Sequence, residues 1–517
     1  MRLRHFRRLY PLGFAVLPFV HVVASNPGQS RLTALGIIAL ALLSGFGLLY
    51  LLVHLVTKGT NAALLTPLIL LSVVAWFYLG PLARRPFQRI TGLALSPLLL
   101  AFLGLLVSLA ILLRLRRQPR VLHLADTVFP LMALLLLGWS AIRVAFNEIR
   151  ARHTIGTSPL VAELAKPVPA DRRRSSSLSH PDIYLIVLDE YANSAVLQEL
   201  FGATNGEFED SLRALGFTIP RQVRSNYTVT TLSIPSLVNF AYLSRVAIEV
   251  GRGSNDRSLP NYLLEHNRIV RFLKLQDYQF AFFPSHWWRA TDHSEYADHE
   301  YQVGGPLSLR RSLTATQLNN LLYRFTVLGA VGSLHPTYAE HIKRTFNGIG
   351  TLDTGGKPTF VFAHFIFPHL PYVLNANCEP QVAPYRGEPD IRYLDQVRCA
   401  NRLTLGLVRQ LIHRPGKPPI ILLQGDHGTA MRGFSKAPTL EQVTPSQARE
   451  RFGAFGAYYL PDGGGKLFTD TVTVVNVLRK VLNYYFGASL PPIPDHLYLS
   501  LETRPFNLVE IDPEILK

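Results

Sequence analysis

Four short stretches of this chain carry carboxylate, imidazole and hydroxyl groups to places where a strand should end or a helix begin. Pro418 to Thr429 reads PPIILLQGDHGT, an apolar run closing on Gly425-Asp426-His427-Gly428. A carboxylate and an imidazole side by side where a buried strand meets a glycine turn make half of a divalent-metal site. A second run, Ile183 to Leu188, ends in Asp189-Glu190 and brings further carboxylate to the same edge of an open α/β sheet. Between the two lies Ser225 to Ser236, SNYTVTTLSIPS, a hydroxyl-rich segment leading into an apolar helix. A Thr or Ser at a helix start has its oxygen near backbone N–H groups that favour anions, and a metal would lower its pKa. The same residue types also serve as plain helix N-caps. In HFIFPHLPY, His364 and His369 stand five apart across another strand end. Together these residues point to a metal-dependent enzyme.

The elements that must hold them follow from the apolar pattern. Strands are expected at Ile183 to Leu188, Gln279 to Phe283, Thr359 to His364, Ile420 to Leu423 and Ala454 to Leu460. Helices are expected at Ala195 to Phe201, Phe208 to Leu215, Tyr262 to Leu275, Leu394 to His413 and Val472 to Tyr485. Strand-like runs alternating with helix-like ones predict one large α/β domain over residues 181–517. Residues 148–180 read as a juxtamembrane helix and linker, beginning near Glu148 and running into Lys166-Pro-Val-Pro-Ala and Arg172-Arg-Arg-Ser-Ser-Ser.

Residues 1–147 are of another kind. Apolar runs at Tyr10 to Ser25, Leu32 to Val56, Ala62 to Leu82, Leu93 to Leu113 and Val121 to Val144 predict a bundle of about five transmembrane helices. The first is short and holds Pro11 and Pro18, but no small-x-small cleavage site follows it, so it reads as a span rather than a signal peptide. With the N-terminus inside, the inner loops take Arg2, Arg4, Arg7, Arg8, Lys58, Arg114, Arg116, Arg117 and Arg120, and the outer ones Arg31, Arg84, Arg85 and Arg89. An odd number of spans then delivers the α/β domain to the periplasmic or extracellular face.

The net charge of +17 belongs to this membrane part, since the first 180 residues hold 20 Lys/Arg against 4 Asp/Glu. Such a distribution fits anionic headgroups and argues against a nucleic-acid groove. The two cysteines, Cys378 and Cys399, both lie in the part placed outside, where a disulfide between a loop and a helix is expected. One further cluster holds Ser285-His286-Trp287-Trp288-Arg289, Asp292-His293 and Asp298-His299-Glu300. It could line a cleft or hold a second metal, and it also reads as a solvated loop.

Taken together, Asp189-Glu190 after a strand, Thr230-x-x-Ser233-x-Pro235-Ser236, His364, His369 and Asp426-His427-Gly428 resemble the alkaline phosphatase superfamily. Within it the pattern is similar to membrane-anchored, sulfatase-like phosphoethanolamine transferases, phosphoglycerol transferases and lipoteichoic acid synthases, over roughly Pro181 to Tyr485. The resemblance implies an alkaline-phosphatase-like (sulfatase-like) catalytic domain on the outer face of a bacterial-type inner membrane. It puts the nucleophile at Thr230, which also touches the metal and becomes phosphorylated, and completes the metal shell with Asp426, His427 and, on the transferase pattern, Glu190, with Asp189 the second candidate on a phosphodiesterase pattern. His369 becomes the acid for the leaving group, and His364 and Ser233 weaker substrate contacts. The metal implied is Zn, Mn or Mg, the donor a phospholipid, and the acceptor an anionic lipid or glycan of the cell envelope. A phosphodiesterase, phosphatase or sulfatase-like hydrolase of the same fold is the second reading, and a non-catalytic envelope-assembly protein the third. Two departures stand out. Ser233-Ile-Pro235-Ser236-Leu237 lacks the Arg that sulfate ester hydrolysis would need, and Thr429 stands where many relatives carry Glu.

Overall fold

A computed structural model describes residues 8–57, 62–93, 95–170, 180–285, 289–301, 321–322, 325–330, 335–381, 388–468 and 470–516. The chain forms two compact units, one of Met1–Arg152 with Leu307–Leu334, the other of His153–Pro306 with His335–Lys517.

The first unit is built on five apolar helices, α1 (Tyr10–Ser25), α2 (Leu32–Val56), α3 (Ala62–Thr91), α4 (Pro97–Leu115) and α5 (Pro119–Thr157). The last four are long and apolar enough to cross a bilayer, whereas α1, at 16 residues, is shorter. Phe19, Ile38, Leu42, Phe46, Leu70 and Val74 pack α1, α2 and α3 together. Between α3 and α4 the contact is tighter. A Cβ on Gly104 would strike the Trp76 ring at 2.2 Å, and the Trp76 indole donates to Ser108 Oγ at 3.0 Å. The sequence suggests a separate short helix from Glu148. Instead α5 runs unbroken to Thr157, because residues 145–157 contain no Pro and only one Gly, Gly156, to interrupt it. A short helix α6 (Pro159–Ala165) follows, its Ser158 cap accepting from Val161 N.

The second unit centres on a six-stranded mixed sheet. Ten strands are described: β1 (Ile183–Leu188), β2 (Gln222–Arg224), β3 (Gln279–Phe283), β4 (His299–Glu300), β5 (Thr359–Phe365), β6 (Ile420–Gly425), β7 (Gly456–Tyr459), β8 (Thr471–Thr473), β9 (Leu497–Leu501) and β10 (Arg504–Ile511). The large sheet has the order β4-β3-β5-β1-β6-β7, parallel except for β7. Its three middle strands, IYLIVL, TFVFAHF and IILLQG, are buried along their whole length. Near-continuous apolar runs of this kind are what a parallel sheet covered on both faces requires. The pairs β2–β8 and β9–β10 lie outside the large sheet.

Most predicted elements lie within a few residues of those observed. The helix expected at Tyr262 to Leu275 is two helices, Ser258–Glu265 and Arg268–Lys274, because the Asn267 side chain accepts from Val270 N and starts the second. Four further helices matter below: α7 (Thr230–Asn239), α8 (His335–Gly350), α9 (Pro389–Ile412) and α10 (Pro445–Phe452). Cys378, in a loop, and Cys399, in α9, are joined by a disulfide.

Candidate metal centre and nucleophile

Parallel pairing decides where the chemistry gathers. Leu188 of β1 lies opposite both Phe365 of β5 and Gly425 of β6, so the three chains leave the sheet at one edge. The next residues are Asp189 and Asp426, and the third chain continues into the His369 loop. Gly428 ends the β6 turn at a point of very close approach, since a Cβ there would fall 2.0 Å from Glu450 O. Glu190 adopts a left-handed backbone, φ 58°, held on both sides. Its N–H donates to Asp426 Oδ1 at 3.2 Å, and its carbonyl accepts from the buried Tyr393 hydroxyl at 2.7 Å. For a residue with a Cβ this conformation is costly and persists only where neighbours enforce it.

Asp189, Asp426 and His427 each offer a ligand atom, and these atoms lie within 4.8 Å of one another. All three side chains are buried. Asp426 Oδ1 accepts from the N–H groups of Glu190 and His427, the second at 2.9 Å. Its Oδ2 makes no hydrogen bond but lies 3.2 Å from His427 Nε2, and Asp189 Oδ1 has no hydrogen-bond partner. Burial pushes both carboxyls up, Asp189 to about 7, where His369 pulls down and Glu190 adds to the rise, and Asp426 to about 8, where Asp189 adds to it. Two buried carboxylates with unpartnered oxygens are expensive to ionise without a compensating charge. Two carboxylates, one imidazole and a neighbouring hydroxyl form a donor set that fits a divalent cation.

The hydroxyl is that of Thr230. The N-cap alternative does not hold for it, because Val229 occupies the cap and Thr230 is the first helical residue of α7. Its Oγ1 instead lies 2.9 Å from His427 Nε2. The rest of α7 is buried and Thr230 alone is partly open. Ser233 is 1% exposed and donates to Asp426 O at 2.5 Å. Ser225 Oγ also reaches that carbonyl, at 2.6 Å. The Ser233 hydroxyl is thus committed to shaping the Asp426 turn.

His369 is the other partly open group. Its side chain is 31% exposed, with Nε2 3.9 Å from Glu190 Oε2. Burial lowers its pKa, but the facing Glu190 and Asp189 carboxylates outweigh that and hold it up at about 9. Its loop is clamped by Gln396 of α9, fully buried, which donates to Pro368 O and His369 O at 2.9 and 3.1 Å. The same side chain accepts from Val373 N at 2.8 Å. His364 is buried within β5. Its Nδ1 meets Thr291 Oγ1 at 3.0 Å and its Nε2 lies 3.4 Å from Asp189 Oδ2, so it backs the Asp189 carboxylate. Burial lowers the His364 pKa to about 4.

Glu190 points elsewhere than its neighbour. Its Oε1 receives Arg451 Nη1 at 2.5 Å. Sequence reading missed Arg451 altogether, since Arg449-Glu450-Arg451 looks like the solvated face of a helix. The Asp/His cluster after β3 does not assemble into a metal group among the described residues. Asp298 pairs with Lys274 at 2.8 Å and His293 with Glu300 at 2.6 Å, while His286, Trp287 and Trp288 lie outside the described residues.

No family model matches the sequence, and no curated protein matches it. Among solved structures the chain is similar to the C-terminal periplasmic domain of EcEptC from Escherichia coli in complex with Zn. The TM-score is 0.42 at 10% identity, over 67% of this chain and 96% of that one. It is similar to the integral membrane protein lipooligosaccharide phosphoethanolamine transferase A (EptA) from Neisseria meningitidis, TM-score 0.39 at 13% identity, over 94% of this chain and 95% of that one. It is also similar to the lipoteichoic acid synthase LtaP from Listeria monocytogenes, TM-score 0.34 at 10% identity, over 69% of this chain and 82% of that one.

Proposed function

We propose that this chain is a multi-pass membrane enzyme that transfers a phosphoryl headgroup from a phospholipid to an acceptor of the cell envelope through Thr230. The observation that carries the reading is the position of the Thr230 hydroxyl, partly open and 2.9 Å from His427 Nε2, beside the buried Asp189, Asp426 and His427. In this reading Asp189, Asp426, His427 and Thr230 hold a divalent cation, Zn, Mn or Mg. When bound, the cation supplies positive charge that acidifies the threonine hydroxyl and offsets charge growing on the phosphoryl oxygens.

The chain's own groups then divide the work. Thr230 loses its proton to solvent and its Oγ bonds to phosphorus. The bond from phosphorus to the glycerol oxygen breaks, and that oxygen takes a proton from His369, whose Nε2 faces Glu190 Oε2 at 3.9 Å. An acceptor hydroxyl or amine next attacks the phosphothreonine, returning a proton to His369 and releasing Thr230. Gln396 keeps the His369 loop in place throughout.

The Lys/Arg distribution supports an N-terminus inside and, with α1 counted as a span, a catalytic unit outside. The Cys378–Cys399 bond is in keeping with an oxidising compartment. The test is incubation of the purified chain with defined phospholipid vesicles, following headgroup release with and without glycan acceptors. Acceptor-stimulated release that vanishes in Thr230→Ala supports the transferase. Release indifferent to every acceptor supports a hydrolase instead, and release that survives Thr230→Ala rejects the nucleophile.

A further inference from the structure

Arg451 is a charged group inside the site that the proposed reaction leaves without a role. It sits on α10, 3% exposed, and its planar head is fully engaged. Nε donates to Thr228 O at 2.7 Å, and Nη1 donates to Glu190 Oε1 at 2.5 Å and to Gly428 O at 2.9 Å. Nη2 lies 3.2 Å from His427 Nε2. One side chain thus ties together the segment entering α7, the turn after β1 and the turn after β6. These three segments carry Thr230, Asp189 and Asp426-His427. A rigid, permanently charged fork can do this where a single ammonium cannot.

Two consequences follow from the donor and acceptor rules. Glu190 cannot turn Oε1 to a cation without taking that oxygen from the buried guanidinium. That separates it from its neighbour Asp189, whose Oδ1 has no partner. Second, His427 Nδ1 lies 3.0 Å from Gly428 O, and a carbonyl only accepts, so Nδ1 carries the proton and the Nε2 lone pair faces both Thr230 Oγ1 and Arg451 Nη2. The Gly428 carbonyl that fixes this arrangement is itself held by Arg451.

We propose that Arg451 is a positioning residue of the metal centre, one that holds Glu190 out of the cation's shell and keeps His427 turned with Nε2 towards Thr230. The proposal rests on the reading in which Asp189, Asp426 and His427 hold a divalent cation. It is tested by calorimetric titration of Zn²⁺ and Mn²⁺ into the chelator-treated full chain in detergent, with thermal unfolding of the same metal-free samples.

Glu190→Gln is expected to leave the Kd within about threefold of wild type, whereas Asp189→Asn weakens it by about a hundredfold or more. Combining Arg451→Gln with Glu190→Gln, which removes the charge pair without stranding either partner, is expected to weaken binding about tenfold. Its unfolding midpoint should stay near that of Glu190→Gln alone. Arg451→Lys keeps the charge but not the fork, and is expected to fall between wild type and the double variant. If Glu190→Gln is as damaging as Asp189→Asn, Glu190 belongs to the shell and the proposal fails. It fails equally if the double variant or, should that not fold, Arg451→Lys binds metal as wild type does. A wild-type chain that binds neither metal would instead remove the reading on which the proposal rests.

Discussion

In the helices before residue 152, Leu40, Leu55, Leu134 and Ile142 face outward, each more than 60% exposed. In the α/β unit the Asp189 and Asp426 carboxylates face inward, neither more than 3% exposed. Each arrangement would be unfavourable for an ordinary globular protein in water, where large apolar faces are covered and charges stay out. Each becomes favourable once its missing partner is supplied. Lipid tails would solvate the leucines, and a cation would compensate two carboxylates that each keep one buried oxygen without a hydrogen bond. The exceptions to ordinary burial therefore mark the two places where this molecule needs something that is not protein.

The largest effect is expected where the inward charges are altered. Asp426→Asn removes a ligand charge while keeping the side chain's size, and should lower metal affinity and headgroup release by at least about a hundredfold. Near-normal values would show that the buried carboxylate needs no cation. His369→Gln should slow release of a diacylglycerol alkoxide by about 10²- to 10⁴-fold, yet slow an activated leaving group such as nitrophenolate far less, because the latter needs no proton. Equal slowing of both would move the acid elsewhere.

The apolar face is tested in the opposite sense. Leu134→Arg places a charge mid-way along α5 and should cost about 3 kcal/mol of insertion, seen as a larger fraction extracted from membranes by alkali. Unchanged partitioning would mean that this face does not meet lipid. A smaller effect comes from the titration of the two buried carboxyls. Their unfolded pKa lies near 4 and their metal-free folded values near 7 and 8. The folded, metal-free state thus binds more protons between about pH 4 and 8, and its stability should fall as pH rises through that window. Metal binding needs the ionised forms, so affinity should rise over the same window, with protons released on binding. Affinity independent of pH from 5 to 8 would contradict the assignment.

Much of the frame was legible because apolar periodicity is a local signal. β1 and β3 have the predicted ends, and α1 and α2 match the first two apolar runs residue for residue. Asp189 and Asp426-His427 stood out because they stand where such runs stop, whereas Thr230 was singled out among its hydroxyl-rich neighbours only by the resemblance. What escaped was set by contacts between distant segments. Glu190 meets Arg451, 261 residues further along, and nothing in Arg449-Glu450-Arg451 says that its second arginine is buried. Gln396 is equally silent, an ordinary helix residue whose amide happens to face the His369 loop. β2 and β8 were missed because three-residue strands carry little alternation of their own, and the longer β9 and β10 were not predicted either.

The central claim is that Thr230 takes the phosphoryl group. Its most direct test is mass spectrometry of the metal-loaded chain after brief exposure to phospholipid and no acceptor. The account predicts a phosphoryl adduct, with the headgroup attached, on the peptide containing Thr230, lost on adding acceptor and absent in Thr230→Ala. Headgroup release at full rate with Thr230 unmodified at every time point, or an adduct on Ser233 or Thr231 instead, would contradict it.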